Sequence, residues 1–180
     1  EATAFIGQLM SEYGCLPSCG GESETLVIGD TGEIWIFEVC SVGPGWDPES
    51  GEPGAIWVAQ RVPDDHALVV ANWSIIKEVD ETDTVNFMAS PNYKQFAVDK
   101  GWWDPAGNEP FIWQDVYAPL PREWATSRLW LFYSTQAPGY RDWPGRSLED
   151  GHMMGYNQYI QYVEPLSIYP TSVKPEKKIS

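Results

Sequence analysis

The sequence predicts an α+β fold: an antiparallel β-meander with flanking helices. Three observations carry that reading. Four β-rich apolar runs follow one another between about residues 23 and 76, each set off by turn signals. Successive strands without crossover helices pair antiparallel. Helical patterns lie outside this block, at the start of the chain and in a helical and loop layer from about residue 89 to 165. A length of 180 residues, 43% of them hydrophobic, suits one domain or a large piece of one.

The first element is a helix over residues 2–13, ATAFIGQLMSEY. Phe5, Ile6, Leu9 and Met10 recur at helical spacing, and Gly14 supplies the stop. Nothing before Glu1 caps it, so the chain reads as beginning within a domain. The first strand is Thr25–Ile28, and Asp30-Thr31-Gly32 turns it into Glu33–Val39. That second strand is apolar on both faces, apart from Glu38, and so should be covered on both sides. Residues 41–54 hold four Gly and three Pro and form an irregular loop. Ile56–Gln60 is the third strand, Pro63-Asp64-Asp65 a turn, and Ala67–Ile76 the fourth strand. Ser90 as N-cap and Pro91 at the first helical position open a helix to about Lys100, which Gly101 ends. Residues 102–120, aromatics among Pro and Gly, form a structured loop. Pro121–Thr135 is a helix with Trp124, Leu131 and Tyr133 on its apolar stripe, and Gly151–Val163 is weakly helical.

Composition narrows the function. The net charge of -15 repels phosphate backbones and anionic lipid, so nucleic-acid partners are disfavoured. No apolar run is long enough to span a membrane, and no signal peptide opens the chain. Cys15 and Cys19 bracket a turn, CLPSC, which suits a local disulfide; such a bond would favour an extracytoplasmic or secreted setting. Cys40 reads as a buried small hydrophobe. His66 and His152 lack ligand spacing, so no metal is expected.

G-x-S-x-G, H-E-x-x-H and P-loop motifs are absent. Two polar residues stand out instead. Asn72 follows Leu68-Val69-Val70-Ala71 at the end of the fourth run. An amide there either bonds to backbone in a turn or serves as an oxyanion donor in acyl transfer. Arg128 sits among Leu129, Trp130 and Leu131, where a guanidinium needs a carboxylate or a bound anion. Ten tryptophans invite a carbohydrate-binding reading, but core and loop packing is the main use expected of rings that bury so much area.

At these residues the chain resembles a known family. GES at Gly21–Ser23, LVIGDTGEIWIFEV, WVAQRVPDD at Trp57–Asp65 and ALVVAN at Ala67–Asn72 are similar to cysteine dipeptidases of the dipeptidase A and secernin type. AVDKGWW, DVYAPL, SRLW and SVKPEKKIS continue the likeness in order. The resemblance implies an N-terminal-nucleophile hydrolase: an αββα sandwich that cleaves dipeptides or small peptides. An N-terminal cysteine attacks, its α-amino group is the base, and no cofactor is needed. It further implies that Asn72 helps form the oxyanion hole and that Arg128 supports the active-site charges. Glu22, in GES, is implied as a contact for the dipeptide amine. The family's cysteine begins its mature chain, upstream of every matched residue, whereas Glu1 stands first here. The expectation is therefore an internal segment of a larger dipeptidase-like protein, inactive alone and partnered by its parent's other segments or by further copies. The alternative is a non-catalytic peptide- or glycan-binding module on the same sheet.

Overall fold

The computed structural model describes residues 1–16, 23–118, 123–140 and 170–176, with the side chains of residues 123–127 outside the description. Cys19, Glu22 and the weakly helical stretch Gly151–Val163 lie outside the described residues. The chain forms two compact units: residues 1–62 with 76–117, and residues 63–75 with 118–180.

The first unit is α+β. It holds α1 (Ala2–Tyr13), β1 (Ser23–Gly29), β2 (Ile34–Ser41), β3 (Ala55–Val62), β4 (Phe87–Ala89), α2 (Tyr93–Asp99) and α3 (Trp113–Tyr117). The strands make one antiparallel sheet in the order β1-β2-β3-β4. Asp30 closes the first hairpin as expected, its Oδ1 accepting from the backbone N–H of Gly32 at 2.7 Å and of Glu33 at 2.9 Å. These two donors hold the Asp30 carboxyl below the usual carboxylate range.

Strand β2 is covered on both faces, as its two-sided apolar pattern predicts; Trp35 through Cys40 are all buried. Trp35, Phe37 and Val39 join Ala55, Trp57 and Ala59 in a core under α1. The other face carries Ile36, Glu38 and Cys40. There Glu38 is 2% exposed, and its carboxylate accepts from Trp113 Nε1 at 2.7 Å and from Ile76 N at 3.2 Å. A buried carboxylate is costly unless donors converge on it, and these two tie α3 and the chain at Ile76 to the central strand.

Helix α1 meets the sheet differently from the expected stripe. Ile6 and Met10 pack on the core, whereas Phe5 and Leu9 are exposed. The reason is Gly7. A Cβ there would lie 2.3 Å from Trp57 Cζ2, so the indole lies directly against the helix backbone. Ser11 fixes the contact by accepting from Trp57 Nε1 at 3.0 Å and donating to the Gly7 carbonyl at 2.9 Å. Trp57 in turn stacks on Phe37, ring centroids 5.3 Å apart. Gly7→Ala should therefore lower stability by about 1–3 kcal/mol through overpacking, despite alanine's better helix propensity. Equilibrium urea unfolding checks this; an unchanged midpoint would show that the indole yields freely.

Three further expectations are corrected. The run Ala67–Ile76 is not a strand: it makes one isolated bridge, Ala67 to Val173. The place beside β3 is taken by β4, which pairs with Val58, Ala59 and Gln60. Ser90 does not cap α2, whose N-cap is Asn92. Its hydroxyl accepts from Trp57 N at 3.1 Å and its own N–H donates to Trp57 O at 2.8 Å, so it prolongs the ladder instead. The aromatic loop contains a short helix, α3, started by Trp113 N donating to the Lys77 carbonyl.

The second unit contains α4 (Glu123–Gln136). Its buried residues include Leu129 and Tyr133, followed by Ala137 just past the helix, at spacing four. Tyr133 is buried as the expected stripe has it, whereas Leu131, expected beside it, is 46% exposed, because the buried face runs through Leu129.

Candidate functional site

The second unit brings together the two residues that the sequence marked. Arg128, on α4, donates from one guanidinium nitrogen to Asn72 Oδ1 at 3.0 Å and from the other to the Ala71 carbonyl at 2.7 Å. The two positions are 56 residues apart in sequence. A planar guanidinium can grip two acceptors at once, which an ammonium cannot do in the same geometry.

Local backbone explains why an asparagine stands there. Asn72 has φ 57, the one non-glycine residue with positive φ among those described. Asparagine tolerates the left-handed region better than other side chains, and β-branched residues are strained in it. The preceding Ala71 is 1% exposed, while Asn72 is exposed. The sequence placed Asn72 at the end of a buried strand; it lies instead at a left-handed turn that presents its amide outward. The turn's far side is held by Trp73, whose indole N–H donates to the Ala118 carbonyl at 3.2 Å.

The Arg128 contact also fixes which way the amide points. A guanidinium has only donors, so Oδ1 must face it and Nδ2 must face away. The result is a pre-oriented pair of N–H donors on an exposed turn. Donors of this kind can meet charge that develops on a carbonyl oxygen.

Both cysteines in view are poor nucleophiles. Cys15 is a free thiol packed against the sheet core, and Cys19, its candidate disulfide partner from CLPSC, lies outside the described residues. Burial first, and the Glu24 carboxylate second, push its pKa above the ordinary thiol value. A nucleophilic cysteine needs the opposite shift. Cys40 is 7% exposed, the buried small hydrophobe its strand position predicts. Iodoacetamide should accordingly alkylate Cys15 more slowly than a small free thiol at pH 8, with the rate still rising above the ordinary thiol range. Peptide mapping by mass spectrometry checks this, and model-thiol reactivity at pH 8 would refute it.

Among the described residues, most tryptophan indoles are engaged with other parts of the protein. The indole N–H groups of Trp46, Trp57, Trp73, Trp103 and Trp113 all donate to acceptors within the protein. Trp102 is the large exposed indole among the described residues, and it makes edge contacts to Phe96 and Tyr117. No group of three or more potential metal ligands occurs among the described residues, and no helix there is long and apolar enough to cross a membrane.

Sequence reasoning missed one supporting contact that has a readable signal. Thr171 and Tyr133, both polar residues in otherwise apolar or turn contexts, bond to the Asn72 run and to each other: Thr171 Oγ1 donates to Ile75 O at 3.0 Å, and Tyr133 OH donates to Thr171 O at 3.3 Å. Glu22, the third residue marked from sequence, lies outside the described residues.

The profile of peptidase family C69 matches residues 1–180. A probable dipeptidase of Salmonella dublin is 30% identical over 118 residues, which cover 66% of this chain and 23% of that protein. A probable dipeptidase of Latilactobacillus sakei is 27% identical over 96 residues, covering 53% of this chain and 17% of that protein. The matched stretches thus span under a quarter of either relative. No solved structure matches the chain.

Proposed function

The chain belongs to peptidase family C69, and from that premise we propose that it carries the oxyanion side of a cysteine dipeptidase site. In this reading Asn72 Nδ2 is the oxyanion donor and Arg128 positions it. The observation that carries the proposal is the two-pronged contact of Arg128 with Asn72 Oδ1 and the Ala71 carbonyl. It aims the amide donors outward before any substrate arrives, so no reorganisation is needed during the reaction.

The reaction is peptide-bond hydrolysis in a dipeptide or small peptide. An N-terminal cysteine thiol, outside these 180 residues, attacks the carbonyl carbon, and its own α-amino group takes the thiol proton. The carbonyl π electrons move onto oxygen, where the Asn72 N–H stabilises them. Collapse of that intermediate expels the amine, which takes the proton, and leaves a thioester. Water then attacks the thioester, and the same amide serves the second oxyanion. Glu22 is the proposed contact for the substrate's α-amino group. No metal or organic cofactor takes part in this scheme. The sheet of the first unit would be one layer of an αββα sandwich, with the second sheet completed by other parts of the parent protein.

The internally bonded indoles favour this reading over a glycan-binding module, which needs exposed aromatic platforms. The direct test assays dipeptide hydrolysis by the intact protein and by the isolated 180-residue chain. Activity in the intact protein alone is expected. Hydrolysis by the isolated chain that thiol alkylation abolishes would place the nucleophile among Cys15, Cys19 and Cys40 and sink the assignment.

A further inference from the structure

We propose that Thr171 is a positioning residue for the Asn72–Arg128 pair, acting as one link between the run that carries Asn72 and the helix that carries Arg128, beside the direct contact of Tyr133 with the Val69 backbone. The consequence for catalysis rests on the function proposed above; the positional claim does not.

The argument starts from what holds the Asn72 run. Residues 67–75 belong to no strand, so no ladder fixes them. The short segment 171–176 shares that task with Trp73, whose indole bonds to the Ala118 carbonyl, and with Tyr133, bonded to the Val69 backbone. At one end of the run, Ala67 N donates to Val173 O at 2.7 Å and Val173 N donates to Ala67 O at 2.9 Å. Beside that bridge, Ser172 Oγ lies 2.8 Å from His66 Nδ1 and Lys174 Nζ lies 2.6 Å from Asp65 Oδ2. At the other end, Thr171 Oγ1 donates to Ile75 O at 3.0 Å. Asn72 lies between these two fastenings.

The same segment grips α4. Tyr133 OH donates to Thr171 O, and Glu176 N donates to the Gln136 carbonyl at 2.8 Å. Tyr133 is fully buried, and burial pushes its phenol pKa well above the usual tyrosine value, so the hydroxyl stays a donor. Thr171 thus bonds in both directions, through its hydroxyl to the run and through its carbonyl to the helix. Arg128 must reach two acceptors, at 2.7 and 3.0 Å, from a separate element. Hydrogen bonds weaken steeply as geometry departs from these values, so a small slip of run against helix would release the amide.

The experiment uses the intact protein labelled with 15N-asparagine and compares Thr171→Val, Thr171→Ser and wild type. Valine keeps the shape and removes the hydroxyl, whereas serine keeps it. The readouts are the side-chain amide signal of Asn72, assigned by its loss in Asn72→Asp, and steady-state dipeptide kinetics. Thr171→Val is expected to move the Asn72 signal and to lower kcat about fivefold at unchanged KM, the rate equivalent of one ordinary hydrogen bond. Thr171→Ser should restore both. An Asn72 signal at its wild-type position in Thr171→Val overturns the proposal. A moved signal with unchanged kcat supports the positional claim and removes Asn72 from the oxyanion role. Should Thr171→Val fail to fold, Thr171→Ala removes the same hydroxyl with a smaller side chain. It must then move the Asn72 signal, and an unmoved signal overturns the proposal equally.

Discussion

Asn72→Asp in the intact protein should lower kcat for dipeptide hydrolysis by about 100- to 1000-fold while the protein stays folded. Aspartate has nearly the shape of asparagine and keeps the oxygen that faces Arg128. The new charge strengthens that contact, since the pair becomes a charge-assisted hydrogen bond between ions. Aspartate is also tolerated at positive φ. The folded turn should therefore survive. What disappears is the N–H donor, replaced by a negative oxygen facing the developing oxyanion. Asn72→Ala removes the amide too but adds strain at φ 57, on the order of 1 kcal/mol. Asn72→Gly removes the amide without that strain. A large loss in the glycine variant, and a loss at least as large in the aspartate variant, with wild-type circular dichroism and thermal midpoints, would identify the missing donor as the cause. Full activity in Asn72→Asp would end the oxyanion reading.

Arg128→Met should lower kcat on the order of 10- to 100-fold, with Arg128→Lys recovering only part of it. Methionine fills similar volume on α4 but leaves the Ala71 carbonyl and Asn72 Oδ1 without the guanidinium donors. Hydrogen bonds to a charged donor contribute about 1.5–3 kcal/mol each. The larger consequence is orientation: without a pure donor beside it, the Asn72 amide is free to rotate and to present oxygen where nitrogen is needed. Lysine offers one compact ammonium and cannot span both acceptors as a fork. The measurement is kcat and KM for each variant alongside thermal unfolding. Loss of stability with no change in kcat would reduce Arg128 to a structural fastening.

Much of the first unit was legible because its signals are local. The two-sided apolar run of β2, Asp30-Thr31-Gly32 and the Gly/Pro-rich loop each act over a few residues, and each appears where the pattern places it. The Ala67–Ile76 run failed for a different reason. Its composition is strand-like, but strand formation needs an open sheet edge, and β4 occupies the edge of β3. Ser90 misled similarly: a serine before proline is a good cap, yet its hydroxyl is committed to Trp57 across the sheet. Coverage of the Glu38 face was legible, but its partner was not: the carboxylate is met by Trp113, 75 residues away.

The site was half legible. Asn72 and Arg128 were found as polar residues in apolar surroundings, and the family likeness supplied their roles. Their direct contact could not be read, because nothing at position 72 announces a partner 56 residues later. The acceptors that the sequence marked for Arg128 were a carboxylate or an anion; it did not mark the backbone carbonyl and amide oxygen that the guanidinium grips as a fork. The left-handed turn was likewise hidden, since Ala-Asn-Trp is not a standard turn signature.

The bridge between Ala67 and Val173, with His66 and Ser172 106 residues apart beside it, has a consequence for synthesis. A ribosome adding about 5–20 residues per second needs roughly 5–20 s to travel that distance. The α1 and β1–β3 portion is complete in the emerging polypeptide well before then. Throughout the interval the apolar stretch LVVANWSII waits without the segment that fastens it. Strand-prone sequence with open backbone invites pairing between nascent chains. Slow translation of the stretch between these two positions would lengthen that exposure, and chaperone demand during synthesis should concentrate there.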